Sequence, residues 1–185
     1  QRFLDRLNKV SFDKRVSVSV HSDCLEEFNT NRQYDIVVLI HVLYYFDDPH
    51  LAIRRALSRA KPGGQVIIIH QFSVGIPEIQ RKHMYELKNN ENEILTADDI
   101  KKLLDEGGEQ YRFYNIDAHL EVTECLKPSE IGLKIMSFCM ECDLRQMDHT
   151  RLNRLTQSFS ELAKTGKDGS ALIHEPLGVF WVGKK

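Results

Sequence analysis

A chain of 185 residues, 42% hydrophobic and 28% charged, has the make-up of one ordinary globular domain able to bury a core. Its 25 Lys+Arg against 27 Asp+Glu leave a net charge of -2, which gives no field for polyanions and argues against a nucleic-acid partner. The longer apolar runs, such as Ile36–Ile40 and Val66–Ile69, are strand-sized and far too short to cross a bilayer, so no membrane partner is expected.

Gln1–Val10 opens the chain on a charged amphipathic stretch without the pattern of a cleavable signal. Phe3, Leu4, Leu7 and Val10 fall on one helical face, as in the tail of a helix. Val16–Val20 alternates strictly with period two and predicts a strand. Tyr34–Ile40 is a nearly continuous β-branched run, the pattern of a central parallel strand buried on both faces.

Asp47-Asp48-Pro49 then supplies cap and first-turn residues for a helix running to about Ala60, with Leu51, Ala52, Ala56 and Leu57 as its buried stripe. Lys61-Pro62-Gly63-Gly64 stops it and leads into a buried strand, Gln65–His70. The order helix, strand, strand, helix, strand with short connections implies right-handed crossovers in a doubly wound parallel sheet. Phe72–Leu95 is polar and weakly amphipathic, read as a partial helix and an irregular excursion over one end of the sheet.

Thr96-Ala97-Asp98-Asp99 resembles a capping box with Asp99 in place of Glu or Gln, opening a helix that ends at Gly107-Gly108. Tyr111–Ile116 follows as a strand that Leu120–Cys125 extends or pairs with. Ser129–Cys142 and Thr150–Lys164 carry helical patterns, and Ala171–Val182 closes the chain as an apolar run broken at His174-Glu175-Pro176. Four cysteines fit a reduced, cytoplasmic protein better than a disulfide framework. Cys139-x-x-Cys142 reads as two buried helical thiols one turn apart, not a redox or zinc site. A monomer is expected.

In an open parallel sheet, ligands bind beyond the carboxyl ends of the strands. Asp23, in His21-Ser22-Asp23-Cys24, can accept from an adenine amino group or cap the next helical turn. His41, after the β-branched run, can give or take a hydrogen bond near neutral pH. Tyr44 and Tyr45 can offer π faces to a cation, or pack the top of the sheet with Leu43 and Phe46. Glu175 can anchor an ammonium group, or mark a hairpin turn with Pro176. There is no Gly-rich strand-to-helix turn of the nucleotide-binding kind, no nucleophile elbow and no metal-ligand cluster in the sequence.

Leu43-Tyr44-Tyr45-x-x-Asp48, Thr96-Ala97-Asp98-Asp99-Ile100 and Leu103-Leu104-Asp105, with the spacing down to the apolar C-terminal strand, resemble the histamine N-methyltransferase-like branch of the S-adenosylmethionine-dependent methyltransferases. The resemblance implies an α/β, Rossmann-like methyltransferase sheet with an antiparallel last strand. Mapped onto it, the chain is one partial domain over 1–185 that starts in the helix after the second strand, lacking the first strands and the glycine loop. Residues 72–95 and 126–168 map as substrate-side insertions.

The resemblance further implies S-adenosylmethionine as cofactor, with contacts at Asp23, Cys24, Leu25 and Ile40; Leu25 stands where the family can have serine. On the substrate side His41 replaces a glutamine and Glu175 an asparagine, while Tyr44, Tyr45 and Phe138 remain as walls. The family's imidazole-pocket aromatics correspond to the non-aromatic stretch Gly75–Asn92. The implied reaction is attack by a neutral amine nitrogen on the sulfonium methyl, with His41 orienting the nucleophile or accepting its proton and Glu175 holding a substrate ammonium. A small histamine-like amine is the expected substrate. The alternatives are another class of small molecule, or a non-catalytic fragment.

Overall fold

The structure, a computed structural model, describes residues 10, 13–21, 32–88 and 94–184. Residues 1–32 and 33–185 form two units. In the first, Val16–Val20 lies in no strand, and all five residues are exposed. Alternation decides which side chains share a face, but a strand also needs a neighbour to take up its hydrogen bonds. Among the described residues no ladder includes this segment. The helical reading of residues 1–9 and the site readings at Asp23, Cys24 and Leu25 lie outside the described residues.

In the second unit four strands form the main sheet: β1 (Tyr34–Ile40), β2 (Ala60–Gln71), β3 (Tyr111–Ile116) and β7 (Leu177–Gly183), in the spatial order β1-β2-β7-β3. β1 and β2 are parallel from Ile36↔Gln65 to Ile40↔Ile69. β7 runs antiparallel to both β2 and β3, as the family resemblance implied. Lys61–Gly64 lies inside β2 as a looped insertion, since Tyr34 pairs with Ala60 and Ile36 with Gln65.

Val66, Ile68 and His70 of β2 and Phe180 and Val182 of β7 are buried on one face. Two helices cover it. α1 (Pro49–Arg59) begins where the Asp48 side chain accepts the Leu51 N–H at 2.8 Å, and it buries Ala52, Ile53 and Ala56, a stripe rotated slightly from the predicted one. α3 (Ala97–Glu106) opens on the predicted capping box: Thr96 caps the Asp99 N–H, and the Asp99 carboxylate accepts the Thr96 N–H at 2.8 Å. The opposite face is largely open. Ile36, Val38 and Ile40 are 56%, 47% and 51% exposed, and of β1 only Leu39 is buried. The expectation of a central strand buried on both faces is therefore corrected: among the described strands β1 is an edge, with one face covered.

A second layer follows the carboxyl end of β2. It contains α2 (Ile76–Lys88), β4 (His119–Glu121), a 3-10 turn at Thr123–Leu126, α4 (Glu130–Cys139), α5 (His149–Leu162), β5 (Lys164–Thr165) and β6 (Ala171–His174). β4, β6 and β5 form a small antiparallel sheet, so Leu120–Cys125 neither extends nor pairs with β3. Ile79, Val122, Met136, Met140, Leu155, Phe159 and Ile173 are among its core. α2 is the partial helix expected within 72–95, although its packing was not legible in the sequence. Its inward face is partly polar, which hid it: buried Gln80 donates to the Cys139 carbonyl at 2.7 Å, and buried His83 meets the Ser158 hydroxyl at 2.9 Å. Cys142 lies beyond the end of α4 and is half-buried, so only Cys139 of that pair is a buried helical thiol.

The terminal apolar run is two strands in two sheets. The chain crosses between them at Glu175-Pro176, where the Glu175 N–H donates to the Ala118 carbonyl and the Pro176 carbonyl accepts from Phe72. The Glu175 carboxylate turns inward and accepts the Ile76 N–H at 2.7 Å, at the first residue of α2. Gly75, at φ +78°, makes room for it; a β-carbon there would overlap the carboxylate. No helix of the described residues is long and apolar enough to cross a membrane.

Two buried groups are displaced in opposite directions. Burial, reinforced by nearby Glu78, pushes the Glu175 carboxyl from 4.5 up to about 7, against the opposing helix N–H. Burial, reinforced by His41, holds the His70 imidazole down from 6.5 to about 4. Between pH 4.5 and 7 the folded chain keeps the Glu175 proton that the unfolded chain releases, so this group's contribution falls as pH rises. Between 6.5 and 4 the unfolded chain takes up the His70 proton that the folded chain refuses, so that contribution falls as pH drops.

In the overlap the two slopes oppose each other, and single variants should separate them. Relative to the parent chain, Glu175→Gln should gain stability as pH rises toward 7, by on the order of 3 kcal/mol, and His70→Leu should gain as pH falls toward 4. Urea melts across this range test both; pH profiles parallel to the parent's would refute the displaced ionisations. A second test concerns packing. Gly132 of α4 sits against the Glu124 carbonyl, which any β-carbon would overlap. Alanine gains about 1 kcal/mol of helix propensity, but overpacking against fixed backbone costs roughly 1–3 kcal/mol. Gly132→Ala should therefore lower the urea midpoint, not raise it.

Candidate active site

The site grows from the carboxyl ends of β1 and β2. β1 ends at Ile40, and His41 continues its ladder by donating its N–H to the Ile69 carbonyl at 3.0 Å. His41 then takes a left-handed backbone, φ +47°, a conformation uncommon for a residue with a β-carbon. This turn brings the His41 Nδ1 to 2.6 Å from the Gln71 Oε1 at the end of β2. An amide oxygen only accepts, so Nδ1 carries the hydrogen and the lone pair of the neutral ring lies on Nε2.

Below lies His70, fully buried, with its ring 5.7 Å from that of His41 and edge-on to Tyr44 at 5.5 Å. Among the described residues neither ring nitrogen has a hydrogen-bond partner. Such a group costs roughly 1–3 kcal/mol relative to a satisfied one. Its depressed pKa keeps the imidazole neutral near pH 7. The 3-10 turn Leu43–Tyr45 follows: Leu43 is buried, whereas the Tyr44 and Tyr45 rings meet at 4.5 Å, tilted by 60°, with Tyr45 facing out. Burial, then the neighbouring Tyr45 and Glu141, push the Tyr44 phenol well above its usual range, so it stays protonated.

These tyrosines line a cavity of about 740 Å³. Its walls come from the turn before α1 (Asp47), the end of β2 (Gln71), α2 (Gln80, Met84), α3 (Asp99, Lys102, Glu106) and the turn after α4 (Glu141). Four carboxylates therefore line it against one lysine. Of these, Asp99 is engaged in the capping box.

Of the residues from the sequence reading, the structure places Tyr44 and Tyr45 on the cavity wall and His41 behind it, hydrogen-bonded to the lining Gln71, and it separates two others. Phe138 is 81% exposed and is not on the cavity wall: α4 buries Gly132, Met136 and Cys139, and helical spacing turns Phe138 away from that stripe. Glu175 does not line the cavity either, because the strand-to-strand crossing folds its carboxylate under α2. Of the residues expected to touch the cofactor, only Ile40 is described. Its half-exposed apolar side chain stands at the carboxyl end of a parallel strand, and that surface suits the flat face of a nucleoside.

The reading of the sequence missed His70, Gln71 and Glu141. The first two had a signal, a histidine and a glutamine ending an otherwise aliphatic strand. Glu141 had none. Among the described residues no group of three or more His, Cys, Asp or Glu could hold a metal ion.

The chain is 27% identical over 183 residues to histamine N-methyltransferase of Xenopus tropicalis, a match covering 95% of this chain and 62% of that protein. It is 27% identical over 136 residues to carnosine N-methyltransferase 2 of Gallus gallus, covering 71% of this chain and 42% of that one. The chain thus spans less than two thirds of the length of these curated relatives. A Bacillus halodurans C-125 protein, solved as a candidate methyltransferase, superposes with a TM-score of 0.56 at 14% identity over 95% of this chain and 80% of its own, a likeness of fold alone. The methyltransferase domain family model matches residues 5–111, more than half of the chain. With β7 antiparallel between β2 and β3, as such a sheet requires, the chain belongs to the methyltransferase domain family, whose methyl donor is S-adenosylmethionine.

Proposed function

We propose that this chain carries the substrate side of an S-adenosylmethionine-dependent N-methyltransferase acting on a small, histamine-like amine. The observation that carries this reading is the cavity, where Tyr44 and Tyr45 stand beside Asp47, Glu106 and Glu141 with a single lysine opposing them. Aromatic faces and carboxylates together favour a cation over an acid. The names of the matched relatives, acting on histamine and carnosine, point the same way.

The cofactor supplies an electrophilic methyl group when bound. Ile40 would hold it, together with Asp23, Cys24 and Leu25 of the sequence reading. The chain's own work is to present a nitrogen with a free lone pair, which calls for positioning, water exclusion and somewhere for a proton to go. His41 would serve for the last: Gln71 fixes its Nδ1 as donor, which leaves Nε2 to accept the proton of the attacking nitrogen. Tyr44 and Tyr45 shield the site from water and face the positive charge that grows on the substrate.

Two measurements test this in the full-length enzyme. Labelled methyl transfer to a panel of small amines, carboxylic acids and phenols should show turnover for the amines; turnover confined to acids or phenols would overturn the reading. His41→Leu should lower kcat for an accepted amine by about 100-fold, and an unaltered kcat would remove His41 from the reaction.

A further inference from the structure

Helix α4 ends in a turn whose natural occupant is glycine. The Glu141 N–H donates to the Phe138 carbonyl and the Cys142 N–H to the Ser137 carbonyl, each at 3.1 Å. This paired closure forces the residue between into the left-handed region, where glycine is strongly preferred. Here it is Glu141, at φ +50°. A β-carbon in that conformation crowds the following carbonyl, so the glutamate sacrifices stability that glycine would retain. Among the described residues only His41 shares this feature. Both strained residues belong to one site, joined through the cavity that Gln71 and Glu141 line and through the Gln71–His41 hydrogen bond.

Strain of this kind persists where the surroundings enforce it, and it gathers at ligand-handling positions. Three features enforce it at Glu141. The two backbone bonds close the turn, and the buried Gln80 of α2 donates to the Cys139 carbonyl at 2.7 Å, tying the helix end to the cavity wall. The side chain so placed is exposed at the cavity. Its charge adds, after burial and Tyr45, to what raises the Tyr44 phenol. Glu175, the carboxylate singled out from sequence, is engaged instead at the N-terminus of α2.

We propose that Glu141 is the specificity-determining residue of this site: its carboxylate receives the charged ammonium end of the substrate while the His41 side of the cavity faces the nitrogen that reacts. The assignment rests on the amine-methyltransferase reading of the cavity. Lys102 is the cation of the lining that competes for acidic groups, and Asp47 and Glu106 are its other carboxylates beyond the capping Asp99. Glu141 differs from these in being held at a backbone position that disfavours any side chain.

The test compares the parent, Glu141→Gln and Glu141→Gly in the full-length enzyme, using histamine and N-acetylhistamine, which lacks the ammonium charge. Both variants should lower the preference for histamine over N-acetylhistamine, measured as the ratio of kcat/KM values, by about 10-fold. Glu141→Gly should at the same time raise Tm, because glycine suits the turn. That opposite movement of stability and selectivity would not come from a merely structural role. A preference unchanged in both variants overturns the assignment while leaving the amine reading intact, and so does a preference lost in Glu141→Gly but kept in Glu141→Gln. A parent enzyme that methylates neither compound, nor any other amine, overturns the amine reading and this assignment with it.

Discussion

Everything at the site hangs on β7 running antiparallel between β2 and β3. Among the described residues, 60–71 and 111–116 share no ladder of their own; Leu177–Gly183 joins them, pairing with β2 from Gly183 to Leu177 and with β3 from Val182 to Leu177. Its Phe180 is fully buried, 5.0 Å from the Phe113 ring and 5.6 Å from that of Tyr111. A buried aromatic of this kind contributes a few kcal/mol by burial alone. The pairing also fixes the register in which β2 ends, and so where His70 and Gln71 stand relative to His41. At this same end the strand meets the crossing at Glu175-Pro176, which ties the second layer to the sheet through α2.

The site carries three local conflicts: a left-handed histidine, a left-handed glutamate and a buried imidazole without partners among the described residues. Elsewhere the chain resolves its local choices conventionally. Asp48, Thr96, Ser129 and Asp148 cap their helices by side-chain acceptance of a backbone N–H. Among the described residues both left-handed side chains lie at or beside one cavity, and this marks it as a place where stability has been given up for something else. The neutral His70 fits this view. It presents a flat, uncharged surface to both His41 and Tyr44, and a charged imidazole there would compete with any cation arriving at the tyrosines.

What could be read from the sequence was what short-range chemistry decides. Asp47-Asp48-Pro49 and Thr96-Ala97-Asp98-Asp99 are complete instructions for starting a helix, and both helices start there. Tyr44 and Tyr45 were legible because aromatic residues just beyond a strand have few places to go. The sheet to which a strand belongs is a long-range outcome: Ala171–Val182 looks like one run and becomes two strands in two sheets. The packing of α2 was obscured because buried Gln80 and His83 find their partners on α4 and α5, residues distant in sequence. Phe138 and Glu141 were misjudged for related reasons. Aromatic character does not reveal which face of a helix a residue occupies, and a glutamate in a glycine turn leaves no trace in composition.

The run Ile36-Val37-Val38-Leu39-Ile40 raises a further point about what a strand sequence records. Apolar residues at every position describe a strand covered on both faces, whereas a strand with one wet face alternates. β1 has one covered face and one on which Ile36, Val38 and Ile40 are about half exposed, and Tyr114, Ile116 and Trp181 are exposed on the same side of β3 and β7. At roughly 25 cal/mol per Å² of apolar surface, a band crossing the sheet in this way represents several kcal/mol of burial not realised by residues 33–184. The composition of β1 thus records more cover than its open face has among the described residues.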